Sequence, residues 1–325
     1  MGVIDTLSAG FNVITKRLWL SVPPVLLDLY LWQGPRLSIL PMTRQLASFL
    51  RNLPKVSLTG VPPSALAQMV EEIGWGLNLF SLLHNELMGM PSLIAWAASE
   101  FGGGGGRNVI EIRSWEGLLG ISATLLLLGV LISSIYLALM ALAVRRKSLS
   151  LREVWQRTWR CWAWVTVWEI LLLGLGLFIN LAISAAILPV ALISQAVARG
   201  LLNLLGLVSV GLALWLALNT FFTVQALALQ DVSLAGAVWR SFNVVRRNFW
   251  GMLGLILLSF IIQLGFGQIW RMLDTVSWQT LLSILGNAYI GSGVTAAMMV
   301  FYLDRYRRWR EEMAEADRSA SETRR

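Results

Sequence analysis

Histidine and cysteine are almost missing from this 325-residue chain: His84 and Cys161 are the only ones. A single cysteine excludes an intrachain disulfide and a cysteine metal cluster. Cys161 is expected to be a free, buried thiol that acts as a small hydrophobe. A single histidine excludes histidine-rich metal sites. No Ser-His arrangement, paired intramembrane carboxylate or metal-spaced ligand set occurs, so no nucleophile has an activating partner. Neither an enzyme nor a cofactor is expected. Charge is also scarce. Only 14% of residues are charged and 56% are hydrophobic, with a mean hydropathy of +0.66, whereas soluble domains carry about 25% charged residues. Disorder, collagen-like fibres and disulfide scaffolds are excluded.

What the chain does have is long apolar runs. A helix crossing the bilayer core needs about 20 mostly apolar residues. Six stretches qualify: Phe11 to Trp32, Trp115 to Val144, Trp164 to Ile193, Leu201 to Leu229, Phe249 to Trp270 and Trp278 to Leu303. The first is the weakest, because Lys16, Arg17, Pro23, Pro24 and Asp28 interrupt it. No small-residue cleavage site follows it, so a removable signal peptide is not expected. Trp19, Trp32, Trp115, Trp164, Trp250, Trp270 and Trp278 fall near the ends of these runs. An indole prefers that interfacial depth, where its ring is half-buried and its N–H stays hydrated.

Lys and Arg total 26 against 18 Asp and Glu, a net charge of +8. The basic residues abut apolar runs, which points to orientation in a bilayer and not to nucleic acid. Six crossings put both termini on one side, with 18 of the 26 basic residues on that side and eight on the other. Both termini are therefore expected in the cytoplasm, with the chain integral to the plasma membrane.

Residues Gly10 to Trp19 (GFNVITKRLW) and Ser241 to Trp250 (SFNVVRRNFW) share Phe, Asn, Val and the closing Trp without a gap. A looser copy lies at Thr158 to Trp168. Each copy precedes an odd-numbered run, which predicts three units of an inner interfacial helix followed by two crossings. In 233–250, Leu234, Ala237, Val238, Phe242 and Val245 recur at helical spacing opposite Arg240, Asn243 and Arg247. In 149–162, Trp155, Trp159 and Trp162 stand against Arg152 and Arg160. Such helices are either packing struts with solvated charges or interfacial helices. In the second case Arg152, Arg160, Arg240 and Arg247 are the candidate contacts to anionic lipid headgroups.

The segment Asp231 to Phe260, with S-F-N-V-V-R-R-N-F-W leading into an apolar run, resembles the six-span membrane domain found beside glycerophosphodiester phosphodiesterases. It is also similar to related stand-alone bacterial membrane proteins of unknown role. The resemblance covers mainly the last third of the chain, and the long insert near the N-terminus departs from it. It implies the membrane architecture only. The phosphodiesterase barrel has neither the length nor the histidines it would need here.

About 80 residues separate the first two runs. Connections beyond about 12–15 residues usually carry structure or function. Ser64 to Met90 reads as one long helix, with Leu66, Met69, Val70, Ile73, Leu77, Phe80 and Leu83 at spacing 3 or 4. The five glycines 102–106 read as a flexible connector, because no Gly-Lys-Ser/Thr follows to make a phosphate loop. Val109, Ile110 and Ile112 fit a short extended segment. The insert is expected to be a cap on the outer span ends, a docking surface for an extracytoplasmic protein partner, or a ligand lid.

Ionisable residues at membrane depth are costly and mark function by default. Asp28 is the clear case, about 16 Å past Arg17 along a helix. It would bind a cation, pair with an outer arginine, or sit in water. Glu169 would reach Arg157 or Arg160. Asn180, Asn219, Gln225, Gln263 and Asn287 read as interhelical hydrogen-bonding groups. Gly293 and Ala297 give one small-xxx-small spacing for close helix contact.

The expected fold is all-α: six transmembrane helices in three pseudo-repeated pairs, with inner amphipathic helices and an outer helical insert. Residues 1–33 form the first inner helix and crossing, 34–113 the insert, 114–304 a five-span bundle and 305–325 a charged cytoplasmic tail. The expected function is a non-enzymatic scaffold or accessory subunit, the alternative a transporter or channel component for a small or lipid-like solute. The expected partners are membrane lipids, a protein docked on 34–113, or further copies of the chain.

Overall fold

The computed structural model describes residues 1–52, 62–95, 108–145, 150–273 and 278–323. The described chain is all-α, apart from one two-stranded parallel sheet in which β1 (Arg36–Ser38) pairs with β2 (Val109–Glu111). The helices in order are α1 (Val3–Thr15), α2 (Val22–Gln33), α3 (Leu40–Arg51), α4 (Pro63–Gly76), α5 (Trp115–Val144) and α6 (Leu151–Ile193). They continue with α7 (Gln195–Asn219), α8 (Thr223–Leu229), α9 (Leu234–Arg247), α10 (Phe249–Arg271) and α11 (Trp278–Thr323). Five helical stretches are long and apolar enough to cross a membrane: α5, α6, α7 with α8, α10, and the 278–315 part of α11.

The first predicted run is not one helix. Lys16 ends α1, a 3₁₀ turn covers Leu18–Ser21, and α2 restarts with Pro23 and Pro24 in its first turn. Proline tolerates that position because its missing N–H has no partner there in any case. Nor is α1 an interfacial helix. It lies antiparallel along α11, with the Met1 ammonium 3.5 Å from Asp304 and the Thr15 hydroxyl 2.8 Å from the Tyr289 hydroxyl. Small residues permit the approach: a β-carbon on Gly10 would sit 2.4 Å from the Ala297 nitrogen, and one on Gly293 would meet the Phe11 ring. Lys16 and Arg17 therefore lie beside the apolar part of α11, not at its charged end.

Two further predicted boundaries dissolve. The inner helix at 149–162 is continuous with the third run, as α6 extends over 43 residues. Likewise, the tail after residue 304 continues α11 to Thr323. Of the three repeat copies, the first two break within one residue of the same place, at Lys16 and Asn248, while the third passes through without a break.

The insert is not a cap resting on span ends. Its predicted helix stops at Gly76, and only α3 and α4 form a hairpin, with Gly74 against the Thr43 side chain and Arg51 2.8 Å from Glu71. The following chain folds inward as two 3₁₀ turns, Leu79–Leu83 and Glu86–Met88. Asn78 and Asn85 cap these turns, accepting from Phe80 N and Met88 N, and Asn78 also accepts from Leu37 N of β1. The turns meet the middle of the long helices. A β-carbon on Gly129, the midpoint of α5, would lie 2.6 Å from the Leu82 carbonyl oxygen. One on Gly291 would lie 2.2 Å from Pro91. Gly89 turns with φ +68, a conformation that suits glycine, and its carbonyl accepts from Thr295 at 2.5 Å. The glycine connector 102–106 lies outside the described residues.

The core gathers around these contacts and around α8, with Tyr136, Phe222, Phe301 and Tyr302 fully buried. By contrast, most of α6 after Val165, most of α7 and much of α10 are open. Within the most apolar window of α6 only 6% is buried, and within that of α7 none is. Gly174, Gly176, Gly200, Gly206, Gly211, Gly265 and Gly267 have nothing near an added β-carbon.

Candidate functional site

Asp28 is fully buried on α2. Its carboxylate accepts from the Ser92 hydroxyl at 2.5 Å, from Leu93 N at 2.8 Å and from Ile94 N at 3.2 Å. Ser92 Oγ in turn accepts from Ala95 N at 3.1 Å. The carboxylate thus occupies the place of an N-cap for the turn at 92–95, taking up amides that would otherwise be orphaned. Among the described residues it pairs with no arginine. Glu169 behaves alike: it accepts from Asn85 of the infolded segment, not from Arg157 or Arg160. Both membrane-depth acids therefore hold the insert in place.

A second polar centre lies at the end of the bundle marked by Asp304. It forms because α8 is short and ends on three carbonyls that continue into no helix. Arg145, at the end of α5, donates to Leu229 O at 2.8 Å. Arg157 of α6 donates to Ala228 O at 2.7 Å, and Arg160 to Gln230 O at 2.9 Å. Cations at a helix C-terminus complement its dipole and satisfy its free carbonyls. Gln230 Oε1 also accepts from Arg240 and, at 3.2 Å, from the Tyr302 hydroxyl. Glu153 and Asp231 balance part of the charge, through Arg157 and Arg160 respectively. Burial, followed by the neighbouring Arg157 cation, pushes the Arg145 pKa below the ordinary arginine value.

This collar decides the fate of the four arginines expected at lipid headgroups. Arg160 and Arg240 are committed to it, and Arg240 also lies 5.2 Å over the Tyr306 ring. Arg247 is paired with Glu312 at 2.6 Å. Of the four, Arg152 and Arg247 are exposed. Trp155, Trp159 and Trp162 do share a face, stacked edge-to-face at 5.5 and 5.2 Å.

The predicted amides do not converge. Asn180 and Asn219 donate to carbonyls of their own helices, Gly176 O and Trp215 O, both at 2.8 Å. Gln263 is exposed on α10, Asn287 is half-buried on α11 and Gln225 is buried in α8. Cys161 is free and buried. Among the described residues no group of His, Cys, Asp or Glu could hold a metal ion.

One further feature was not read from the sequence. A cleft of about 470 Å³ opens between α7, α9 and the start of α10, lined by Gly211, Leu214, Trp215, Leu218, Asn219, Val245, Arg246 and Phe249. The doublet Arg246–Arg247 was its only signal, because the helical face that carries Arg247 is not the one that carries Arg246. No protein-family model, curated protein or solved structure matches the chain.

Proposed function

We propose that the chain is a non-enzymatic integral membrane protein of the plasma membrane, a scaffold or accessory subunit. It crosses the bilayer six times with both termini in the cytoplasm. Five crossings are the long apolar helices, and the sixth is the broken α1–α2 segment. The pairing of Met1 with Asp304 supports a common side for the N-terminus and the tail. The basic residues that cluster at that end favour the cytoplasm for it. The threefold pseudo-repeat is supported by its first two copies alone. Likeness to the membrane domain beside glycerophosphodiester phosphodiesterases extends to this architecture and to no activity.

The observation that carries the scaffold reading is the division of polar and apolar groups. Asp28 and Glu169 are spent on internal hydrogen bonds, while the α6–α7 hairpin leaves its apolar surface open. A protein built to move a solute keeps ionisable groups along a pathway. A protein built to hold partners keeps them inside and offers surface. The α3–α4 hairpin adds a second surface on the outer side, with Phe49, Met69, Ile73 and Trp75 exposed.

Native mass spectrometry of the protein, gently extracted from its own membrane, tests this. A stoichiometric protein partner is expected. Replacing residues 40–76 by a short linker removes the hairpin and spares the infolded 77–95. Loss of the partner in that variant would assign docking to the outer side, and its retention would assign docking to the exposed crossings. A lone chain or homo-oligomer would sink the accessory-subunit reading. The second reading, transport of a small or lipid-like solute, is favoured by the cleft beside Arg246 alone.

A further inference from the structure

We infer that the cleft between α7, α9 and α10 is a binding site for one anionic phospholipid of the cytoplasmic leaflet. Its phosphate would lie at Arg246 and one acyl chain would run along Gly211, Leu214 and Leu218. This holds whether or not the chain recruits a protein partner.

Three observations carry it. First, the cleft is the right shape for a chain in one leaflet. From Asn219 to Gly211 is eight residues of α7, about 12 Å, against about 15 Å for half the hydrocarbon core. Gly211 leaves the deep end open, since nothing lies within 4 Å of an added β-carbon there. Second, the charge is placed at one end only. Arg246 closes α9 beside Asn219 and Phe249, and no acid lines the cleft.

Third, Arg246 differs from its neighbours. The collar uses Arg145, Arg157, Arg160 and Arg240, and Glu312 takes Arg247. Arg246 is exposed and has no hydrogen bond or ion pair among the described residues. A guanidinium presents paired N–H donors that match a phosphate. An apolar cleft with an unpaired cation at its interfacial mouth suits a phosphodiester headgroup with an acyl chain. A soluble anion would leave the apolar wall unfilled. At that end of the bundle Phe222 stacks on Phe301 with ring centres 5.6 Å apart, which puts the mouth of the cleft beside the tail. This is the side on which anionic lipids concentrate.

The full-length chain, delipidated and reconstituted into nanodiscs with equal phosphatidylglycerol and phosphatidylcholine, is extracted and weighed by native mass spectrometry. Wild type is expected to retain one lipid, with about a five-fold preference for phosphatidylglycerol, the scale of one arginine at a membrane surface. Arg246→Gln should lose the preference. Gly211→Leu, whose β-carbon meets nothing within 4 Å and whose side chain would occupy the deep end of the cleft, should lose the retained lipid of either kind. Arg44→Gln, exposed on α3 and away from the cleft, should match wild type. Excess inorganic phosphate should leave the lipid in place. Equal retention of both lipids by wild type overturns the inference. So does an undiminished preference in Arg246→Gln, full occupancy in Gly211→Leu, or displacement by phosphate.

Discussion

The carboxylate of Asp28 and the hydroxyl of Ser92, 64 residues apart in the chain, meet at 2.5 Å inside the bundle. The contact ties the second half of the insert to α2 and turns a surface connection into part of the core. Removing the acceptor leaves one hydroxyl and two backbone amides buried without partners. Each orphaned donor costs about 1–3 kcal/mol. Asp28→Ala is therefore expected to lose on the order of 3 kcal/mol of stability. Asp28→Asn, which keeps one acceptor oxygen but turns a donor toward the amides, should lose about half of that. Denaturant unfolding in detergent, followed by tryptophan fluorescence, measures both. A transport role for Asp28 would give the opposite pattern, with stability intact and flux lost in reconstituted vesicles.

The infolding also predicts which glycines are irreplaceable. At Gly129 a β-carbon meets the Leu82 carbonyl at 2.6 Å, and at Gly291 it meets Pro91 at 2.2 Å. The obstacle is backbone in the first case and a stiff ring in the second, so neither yields by a rotamer change. Gly129→Ala and Gly291→Ala are each expected to cost about 1–3 kcal/mol, the usual penalty of overpacking. Gly206→Ala meets nothing within 4 Å and should leave the melting temperature unchanged or slightly raised, as alanine favours helix. Thermal unfolding of the three variants side by side gives the comparison. If Gly206→Ala were as harmful as the other two, the packing account would fail.

The long apolar helices were legible because each carries enough hydrophobic residues to announce itself. Gly293 and Ala297 were legible as a close-contact pair, although their partner, Gly10, was not. The infolded segment was hidden by its own composition. Leu77, Phe80 and Leu83 continue the helical spacing of α4, so periodicity alone extends that helix to Met90. The stop signals were there: Gly74 and Gly76 end the regular run, and Asn78 and Asn85 are residues that cap turns through their own side chains. Spacing outweighed them because no local rule says that a later segment will return to the bundle. The arginine collar was hidden for a different reason. Arg160 and Arg240 read as solvated or headgroup-facing charges, Arg157 as a partner for Glu169 and Arg145 only as a basic residue beside an apolar run, and only the fold brings the four to one helix end.

That collar makes Arg157 the most exacting of the inner arginines. It is 5% exposed, and it serves both Ala228 O and Glu153. Arg157→Gln strands a buried carbonyl and takes one partner from the Glu153 carboxylate, with an expected loss of about 2–3 kcal/mol. Arg152→Gln, on the exposed side of the same helix, should change stability by less than about 0.5 kcal/mol. Denaturant titration of the two variants separates a structural collar from a set of solvated charges. Equal effects would mean that the α8 carbonyls find water instead.

Sidedness can be checked with single cysteines, because the one native thiol is buried and free. In a Cys161→Ala background, Glu71→Cys places a thiol on α4 of the outer hairpin. Glu312→Cys places one on the part of α11 beyond Asp304. A membrane-impermeant maleimide applied to intact cells is expected to label the first and not the second. Permeabilised cells should give both. The result bears on more than orientation, because Lys16 and Arg17 no longer count toward the cytoplasmic side once α1 lies along α11. The remaining basic residues at the Asp304 end must then set the topology, with Arg145, Arg157, Arg160 and Arg240 held in the collar and Arg305 and Arg308 beside Asp304. Labelling of Glu312→Cys in intact cells would show that those charges do not outweigh the outer arginines, and the assignment of the cytoplasmic leaflet to Arg246 would fall with it.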